Sequence, residues 1–193
     1  MGNSVNDLKS SIKYFLGYIR GAKAKIFRGG KSIYIGNHAN IKGGKNIMLS
    51  ECVIIRPEVD LWCGSKARIN IGRGTEIGER CRISIVNCLD IGSNVLLSPN
   101  VYITDCDHRY DQIGIPVSHQ GICQTDNRVK ISDDVYIGIN SVIVGNVTIG
   151  KGSVIGANSV VTNSIPNYCV AVGAPCRVIK QFNSETSKWE YVQ

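Results

Sequence analysis

The stretch that decides the fold runs from Ile131 to Pro166 and divides into six hexapeptides, ISDDVY, IGINSV, IVGNVT, IGKGSV, IGANSV and VTNSIP. Each hexapeptide begins with Ile or Val, and three of them have Gly in the second position. A period of six matches neither the turn of an α-helix nor the alternation of a long β-strand. It is typical of a solenoid whose wall consists of short strands meeting at corners, with an aliphatic residue directed inward and Gly or Asn at the turns. Small or β-branched residues also fill the fifth positions, which are Val135, Ser141, Val147, Ser153, Ser159 and Ile165.

The same period occurs earlier in the chain, in three further blocks. Five hexapeptides follow one another from Ile35, three from Ile71 and, after a shift of two residues, three from Ile91. We therefore predict an all-β fold, a parallel β-helix of hexapeptide repeats with three hexapeptides, about 18 residues, in each coil. Because each coil buries its apolar residues only against its neighbours, the two ends of the solenoid need caps. We expect a cap in residues 1–32, the β-helix in residues 33–180 and a C-terminal tail in residues 181–193.

The N-terminal segment is basic and has the spacing of an amphipathic helix. Residues 1–31 hold one acidic side chain, Asp7, in a chain of net charge +7. Their cations are Lys9, Lys13, Arg20, Lys23, Lys25, Arg28 and Lys31. Apolar side chains recur at helical spacing, at Val5, Leu8, Ile12, Phe15, Leu16 and Ile19. We interpret the segment as a helix that caps the body and keeps its charges in water, with peripheral contact to an anionic membrane surface as the alternative.

Composition also bears on compartment and on partners. The chain has eight cysteines and none of them forms a C-x-x-C pair, so we predict that most are small buried hydrophobic residues. Cys106 is the one retained as a candidate for an exposed, reactive thiol. We find no run of about 18 uncharged apolar residues and no secretion signal, and we expect a cytoplasmic protein. We expect no nucleic-acid partner, because aromatic residues are few and no recognition motif occurs.

The repeat is interrupted once, between His108 and Arg128. The interval from Ile103 to Ile131 is not a multiple of six, so the segment between them cannot simply continue the wall. We predict a loop insertion at residues 109–128. Loops that are held by a rigid scaffold often carry catalytic and binding residues, and this loop begins just after the sequence DCDH that ends at His108.

Three roles are open for His108 on the residues alone. It could be a structural residue with a satisfied hydrogen bond. As a metal ligand it would need companions, but His38 lies several coils away and His119 lies within the irregular loop. As a general base it needs reach to an acceptor and a partner that fixes its tautomer, and Asp105 or Asp107 could be that partner.

The repeats over about residues 33–180 and the stretch VLLSPNVYITDCDH resemble the left-handed parallel β-helix acyltransferases, among them maltose, galactoside and polysaccharide O-acetyltransferases. The resemblance implies that His108 is the base that deprotonates an acceptor hydroxyl, which then attacks the thioester of acetyl-CoA. It implies that Ser84 stands where an acceptor-binding asparagine often occurs. It also suggests that a backbone amide near Gly138 of an adjacent chain stabilises the oxyanion.

The stretches VYIGINSVI, IGANSVVTNSIP and VGAPCRVIK resemble the coils that hold CoA in this family. The cofactor-binding residues that this implies are Tyr136, Gly138, Ile139, Gly156, Ala157, Thr162, Pro175, Arg177 and Lys180. The pantetheine arm would run along the backbone at Ile139 and Ala157, and Arg177 and Lys180 would meet the phosphates, since a polyanionic nucleotide favours fixed cations. A solvated basic end of the β-helix is the alternative for Lys180.

The expected function is acetyl-CoA-dependent O-acetylation of a sugar hydroxyl, in the biosynthesis or modification of a surface polysaccharide. The resemblance implies a homotrimer with active sites between subunits and a carbohydrate acceptor, without a metal. Three alternatives keep the same fold. They are an N-acetyltransferase of a nucleotide amino-sugar or an antibiotic O-acetyltransferase, a zinc hydratase, and a scaffold without catalytic activity.

Overall fold

The computed structural model describes residues 3–24, 26–28, 32–123 and 125–192, without the side chains of residues 3–10, 27 and 28. Lys25 and Lys31 of the basic segment lie outside these residues. The chain begins with helix α1 (Asn3–Lys23) and continues as a left-handed parallel β-helix of about seven turns. The predicted fold class is confirmed.

Three parallel sheets form the wall of the β-helix. The first contains β1 (Phe27–Arg28), β4 (Ile47–Leu49), β7 (Arg68–Ile71), β10 (Cys88–Ile91), β13 (Arg128–Ile131) and β16 (Val147–Ile149). The second contains β2 (Tyr34–Ile35), β5 (Ile54–Ile55), β8 (Glu76–Ile77), β11 (Leu96–Leu97), β14 (Tyr136–Ile137), β17 (Val154–Ile155) and β19 (Cys169–Val172), and it is extended by β20 (Arg177–Asn183) and β21 (Lys188–Tyr191). The third contains β3 (Asn40–Lys42), β6 (Asp60–Cys63), β9 (Arg82–Ile85), β12 (Tyr102–Thr104), β15 (Val142–Val144) and β18 (Val160–Val161).

The first residues of the hexapeptides form the core, as the period predicts. Ile131, Ile137, Ile143, Ile149, Ile155 and Val161 are all buried, as are the first residues of the hexapeptides from Ile71 and from Ile91. In the block from Ile35 the first residues are buried except Ile41, which is partly buried, but the predicted frame slips by two residues after Ile41. There Leu49, Ile55 and Leu61 pair in register with Ile71, Ile77 and Ile83. The serines in the fifth positions are fully buried as well. Their hydroxyls donate to backbone carbonyls, at 3.0 Å from Ser141 to Gly156, 2.7 Å from Ser153 to Pro166 and 2.6 Å from Ser159 to Gly156. These polar groups are therefore satisfied inside an apolar core.

The predicted coil length is correct only for the first coil after the loop, since the next pairing, of Val154 with Val170, spans fewer residues. There Val154 pairs with Tyr136, which is an interval of three hexapeptides. Before the loop Ile54 pairs with Tyr34 and Glu76 pairs with Ile54, so that these coils are longer than three hexapeptides. The additional residues lie at the corner between the third and first sheets. Before the loop, residues 64–67 form this corner between β6 and β7. After the loop, residues 145–146 alone connect β15 to β16. The same corner gives rise to the long loop.

Asparagines occupy turns at another corner, between the second and third sheets. Asn100, Asn140 and Asn158 all have φ near +60°, the left-handed conformation that asparagine tolerates better than most residues. Their side-chain amides form a ladder, in which Asn100 donates to Asn140 at 3.1 Å and Asn140 donates to Asn158 at 3.2 Å. The ladder links three successive coils.

The C-terminal residues complete the second sheet. β20 pairs antiparallel with both β19 and β21. Because β20 runs from Arg177 to Asn183, the residues that were predicted to form a tail continue the sheet of the body. Phe182 and Trp189 pack edge to face across the last two strands with ring centroids 5.6 Å apart. This hairpin extends the second sheet beyond the last coil of the solenoid.

Helix α1 packs on β2 through a face that contains the buried glycines Gly17 and Gly21. Gly17 is buried so closely that a Cβ there would lie 2.8 Å from the backbone nitrogen of Ile35. On the same side the Lys13 ammonium lies 4.3 Å from the ring centroid of Tyr34, and Arg20 donates to the Ile35 carbonyl at 2.8 Å. Two of the cations expected in water therefore contact the body. Neither described helix is long and apolar enough to cross a membrane.

Candidate functional site

The loop leaves the wall where the repeat is lost. β12 ends at Thr104 and β13 begins at Arg128, with a short helix α2 (Val117–Gln120) between them. The stem of the loop is a small antiparallel hairpin in which His108 pairs with Ile122. The amide of Cys123 donates to the Asp107 carbonyl at 2.8 Å, and the amide of Arg109 donates to the Gly121 carbonyl at 3.0 Å. His108 is thus held on the outgoing strand of this stem.

Asp105 anchors the stem to the coil before it. Its side chain is fully buried, and its two carboxylate oxygens accept the backbone N–H groups of Val86, Asn87 and Cys88 at 2.7–2.8 Å. Burial and, next, the negative charge of Asp105 raise the pKa of the neighbouring Cys63 thiol to about 11. Because both oxygens are engaged by amides, the carboxylate of Asp105 holds the corner rather than the ring of His108. This corrects the expectation that Asp105 could fix the tautomer of the base.

The imidazole of His108 is exposed, and no hydrogen bond joins it to another of the described residues. Asp107 is exposed too, and its Oδ1 accepts the backbone N–H of His108 at 2.7 Å. Asp107 therefore supports the backbone at His108, and its second carboxylate oxygen is the one available to a ring nitrogen. The structure brings His108 and Asp107 together at the mouth of the loop.

A groove on the third sheet begins beside the loop stem. Lys42, Trp62, Ser84 and Thr104 occupy equivalent positions on successive strands of this sheet. Ile122, the pairing partner of His108, lies over the same column. The resulting cavity of about 280 Å³ is called the Trp62 groove here, and its polar and apolar walls are Lys42, Asp60, Trp62, Arg82, Ser84 and Ile122. Ser84, predicted as an acceptor-binding residue, therefore lies in the groove.

A second cavity of about 930 Å³ adjoins the Trp62 groove and shares Trp62 and Ile122 with it. Asn87 lines this cavity, and its side-chain nitrogen is buried without a hydrogen-bond partner among the described residues. Asp126 and Lys66 also line the cavity. Sequence reasoning missed Trp62 and Asn87. The signal for Trp62 is the alternation of a β-strand, because Trp62 lies between the apolar residues Leu61 and Cys63, both of which are buried.

The resemblance suggested an oxyanion donor near Gly138, and the amide of Gly138 itself is already engaged. Its N–H donates to the Ile155 carbonyl at 2.8 Å as part of the wall, and a Cβ at this position would lie 2.5 Å from the nitrogen of Ala157. Gly138 is therefore needed for the close approach of two coils. The next amide, that of Ile139, is without an acceptor among the described residues, and the Ile139 side chain is exposed.

The other predicted cofactor residues lie along the C-terminal coils. Gly156 and Ala157 stack on the corner formed by Gly138 and Ile139, and Thr162 is exposed just after β18. Tyr136 lies on the second sheet with its hydroxyl 3.0 Å from that of Ser98. Pro175 follows a cis peptide bond in the exposed turn before β20, and Arg177 is exposed at the start of β20.

Lys180 is less available than the sequence suggests. Its ammonium lies 4.4 Å from the ring centroid of Tyr191, which is carried by β21. A cation over an aromatic ring is stabilised there, so Lys180 is tied to the C-terminal hairpin. Arg177 is the more exposed of the two cations that were predicted to meet phosphates, and its guanidinium donates to the Cys176 carbonyl at 3.0 Å.

The cysteines follow the prediction for the most part. Cys63, Cys81, Cys88, Cys169 and Cys176 are buried, Cys106 and Cys123 are half-buried, and Cys52 is the exposed one. Within residues 3–24, 26–28, 32–123 and 125–192, no three His, Cys, Asp or Glu side chains come together in a group that could hold a metal ion.

The architecture and the repeat define the class of protein, and sequence comparison agrees. The chain belongs to the family of hexapeptide-repeat acetyltransferases, as predicted. The family model "Bacterial transferase hexapeptide (six repeats)" matches residues 128–163. The galactoside O-acetyltransferase of Escherichia coli is 31% identical over 191 residues, which cover 93% of this chain and 90% of that protein.

Other relatives agree with this membership. A candidate lipopolysaccharide biosynthesis O-acetyl transferase of Escherichia coli is 30% identical over 81% of this chain and 80% of its own length. A probable acetyltransferase of Mycobacterium tuberculosis is 35% identical over 64% of this chain, which spans only 47% of that relative.

Solved structures show the same fold. A maltose O-acetyltransferase from Clostridium difficile is 28% identical with a TM-score of 0.54, covering 93% of this chain and 91% of its own. The N-acyltransferase AntD from Bacillus cereus, in complex with dTDP and 3-hydroxybutyryl-CoA, has a TM-score of 0.72 at 22% identity and covers 88% of this chain and 90% of its own. At that identity the likeness concerns the fold alone.

Proposed function

We propose that this chain is an acetyl-CoA-dependent O-acetyltransferase that acts on a carbohydrate hydroxyl, with His108 as the general base. The observation that carries the proposal is the pairing of His108 with Ile122, because His108 is exposed and its pairing partner Ile122 lines the Trp62 groove. A base needs such access to its substrate, and a buried structural histidine would lack it. The relatives named as galactoside and maltose O-acetyltransferases support the choice of a sugar hydroxyl.

In the proposed reaction His108 accepts the proton of the acceptor hydroxyl on its unprotonated ring nitrogen as the hydroxyl oxygen attacks the thioester carbonyl carbon. The carbon–sulfur bond then breaks, and the imidazolium returns the proton to the departing CoA thiolate. Asp107 is the candidate for stabilising the imidazolium, because its carboxylate is adjacent and its second oxygen remains available. Asp105 is not assigned a chemical step.

The proposed oxyanion donor is the backbone amide of Ile139 in place of that of Gly138. An amide that already donates within the wall cannot turn to a substrate, whereas the Ile139 amide lies at an exposed corner. Backbone donors at a rigid corner are preorganised for the charge that develops on the carbonyl oxygen. The donor would lie beside Gly156, Ala157 and Thr162 on the coils proposed to hold CoA, with Tyr136, Pro175, Arg177 and Lys180 further along them.

The Trp62 groove is the proposed binding site for the acceptor. The exposed indole of Trp62 offers a flat apolar surface on which the C–H face of a sugar ring can stack. Asp60 on the same strand and Arg82 on the neighbouring strand line the groove with it and can hydrogen-bond to hydroxyl groups. Ser84 lies between Trp62 and the loop stem. A few polar groups around an apolar platform are typical of ligand sites.

The assembly we propose is a homotrimer with the active sites between subunits. Beyond His108 the third sheet exposes an apolar strip formed in part by Tyr102, Val142, Val144 and Val160, which are only half-buried in one chain. At the loop tip the Ile113 side chain is 97% exposed. Exposed apolar groups of this kind indicate a protein interface. We also propose a cytoplasmic protein that contributes to a surface polysaccharide, which the lipopolysaccharide-related relative supports.

The test is transfer from acetyl-CoA to a panel of sugars, sugar nucleotides and amino-sugars, with products detected by mass spectrometry because eight cysteines would react with a thiol dye. We expect a product that gains one acetyl group and loses it in neutral hydroxylamine, which cleaves esters and leaves amides intact. A hydroxylamine-resistant product formed on the amino-sugars alone would assign an amine acceptor instead. Failure of the protein to bind acetyl-CoA would overturn the enzyme proposal.

A further inference from the structure

Helix α1 displays an apolar face to solvent, which we call the apolar stripe. It consists of Ile12, Phe15, Leu16 and Ile19, whose spacing places all four on one side of the helix. Phe15 is 63% exposed and Ile12 is 50% exposed, and the other two are exposed as well. Four adjacent apolar side chains on one exposed helix face form a contiguous patch, and such patches usually mark a contact surface.

The stripe is not the face that caps the solenoid. Gly17 and Gly21, on the opposite side of the helix, are buried against the body. Lys13 and Arg20 contact Tyr34 and Ile35 from that side, and Arg20 also donates to the side chain of Asn37. These contacts fix the rotation of the helix about its axis. The stripe is consequently held away from the body.

The charge around the stripe selects its partner. Lys23 is exposed on the same side of the helix as Ile12 and Ile19. The sequence contains no acidic residue from Leu8 to Lys31, and it contains seven cations between Lys9 and Lys31. A second copy of this surface would meet like charges, whereas an anionic lipid surface would attract both the cations and the apolar side chains.

We propose that the apolar stripe docks α1 on an anionic lipid surface, with the helix lying in the plane of the interface. Phe15 and Ile19 would enter the boundary between headgroups and acyl chains, and Lys23 would remain at the headgroups, where lysine stems commonly extend. The helix lies on the interface without crossing it. This docking involves none of the residues assigned to acetyl transfer. The test of docking is therefore independent of the test of the proposed reaction.

The test uses the full chain in flotation with vesicles of phosphatidylcholine alone and of phosphatidylcholine with phosphatidylglycerol. We expect binding to the anionic vesicles that is at least about ten-fold tighter than to the neutral ones and that weakens as salt is added. The variant Phe15→Gln/Ile19→Gln should lose most of this binding. The matched control is Met48→Gln/Leu96→Gln, which removes two side chains of similar exposure from the wall and should bind as the wild type does.

Hydrogen exchange and light scattering test the proposal further. Hydrogen exchange of the wild-type chain should slow in peptides covering residues 11–24 when anionic vesicles are added, a result that does not depend on any variant folding. Light scattering reports the oligomeric state of every variant. Absence of vesicle binding, binding that the stripe variant retains, or an oligomer that dissociates in the stripe variant without any vesicle binding would overturn the proposal, the last by assigning the stripe to a second copy of the chain.

Discussion

The backbone of His108 pairs with that of Ile122, and the side chain of Ile122 forms a wall of the Trp62 groove. One hairpin stem thus sets both the position of the proposed base and the width of the proposed acceptor site. Asp105 ties this stem to the preceding coil through three buried hydrogen bonds. The loop is therefore anchored at the point where the chemistry is proposed, while its tip extends into solvent.

Trp62→Ala should weaken acceptor binding without impairing the reaction step. Loss of an aromatic platform removes stacking worth about 0.5–1.5 kcal/mol beyond the buried area, so we expect the KM for the acceptor to rise roughly three-fold to ten-fold or more, with kcat changing little. Steady-state kinetics with the acceptor varied at saturating acetyl-CoA measure both values. Trp189→Ala, which removes the other tryptophan from the C-terminal hairpin, is the control, and an equal rise in both variants would contradict the assignment of the groove.

Asp105→Asn should destabilise the fold far more than Asp107→Asn. An asparagine at position 105 would keep one acceptor oxygen and direct an NH₂ group at backbone donors, and hydrogen bonds to a charged group contribute about 1.5–3 kcal/mol each. We expect the free energy of unfolding to fall by about 3 kcal/mol or more for Asp105→Asn and by less than about 0.5 kcal/mol for the exposed Asp107. Urea denaturation measures both, and similar values for the two variants would refute the anchoring role.

Buried thiols should make the fold less stable in alkaline solution. Burial raises the pKa of Cys81 to about 11, and burial together with the charge of Asp105 raises that of Cys63 to about 11. Both thiols are neutral when folded, so the native state holds more protons than the unfolded chain between about pH 9 and pH 11. Stability from these groups is fully present below pH 9 and is lost as the pH rises towards 11.

The free energy of unfolding, measured by urea denaturation from pH 7 to pH 11, should therefore decline over that window. The variant Cys63→Ala/Cys81→Ala provides the comparison, because other groups also titrate there. We expect a shallower decline in the variant, whatever its stability at pH 7. If the free energy of unfolding fell equally with pH in the wild type and in the variant, these thiols would not be protonated preferentially in the native state.

The aliphatic period predicted most of the fold because its physical cause is local. A coil can bury an Ile such as Ile137 or Ile155 only if that residue returns at each corner, so that the period of six is visible in the sequence. The length of the N-terminal coils was not predictable in the same way. Their additional residues lie at one corner, and those between β3 and β4, residues 43–46, fall inside the first block of hexapeptides. The predicted frame therefore slips there by two residues, and Ile55, in place of Val53, pairs with Ile35 and Ile77.

The site was predicted in part. The loss of the repeat after His108 located the loop, but the role of Asp105 depends on amides that lie 17–19 residues earlier in the chain, and backbone partners leave no pattern of side chains. The choice of oxyanion donor depends on which backbone amides already donate within the wall. Among the described residues the amide of Gly138 does and that of Ile139 does not, and this difference is visible only in the structure. Helical spacing likewise shows that α1 has an apolar face, but not that Gly17 forms its contact with the body.

The central claim is that His108 moves the acceptor proton, and the most direct measurement is the rate of acetyl transfer by His108→Ala at saturating acetyl-CoA and acceptor. The binding of acetyl-CoA by the same variant is measured alongside it. General-base catalysis contributes about 10²–10⁴-fold to a rate, so we expect kcat to fall by that factor while acetyl-CoA binds as tightly as to the wild type. A variant that keeps kcat within about ten-fold of the wild-type value would contradict the account, because the proton would then leave by another route.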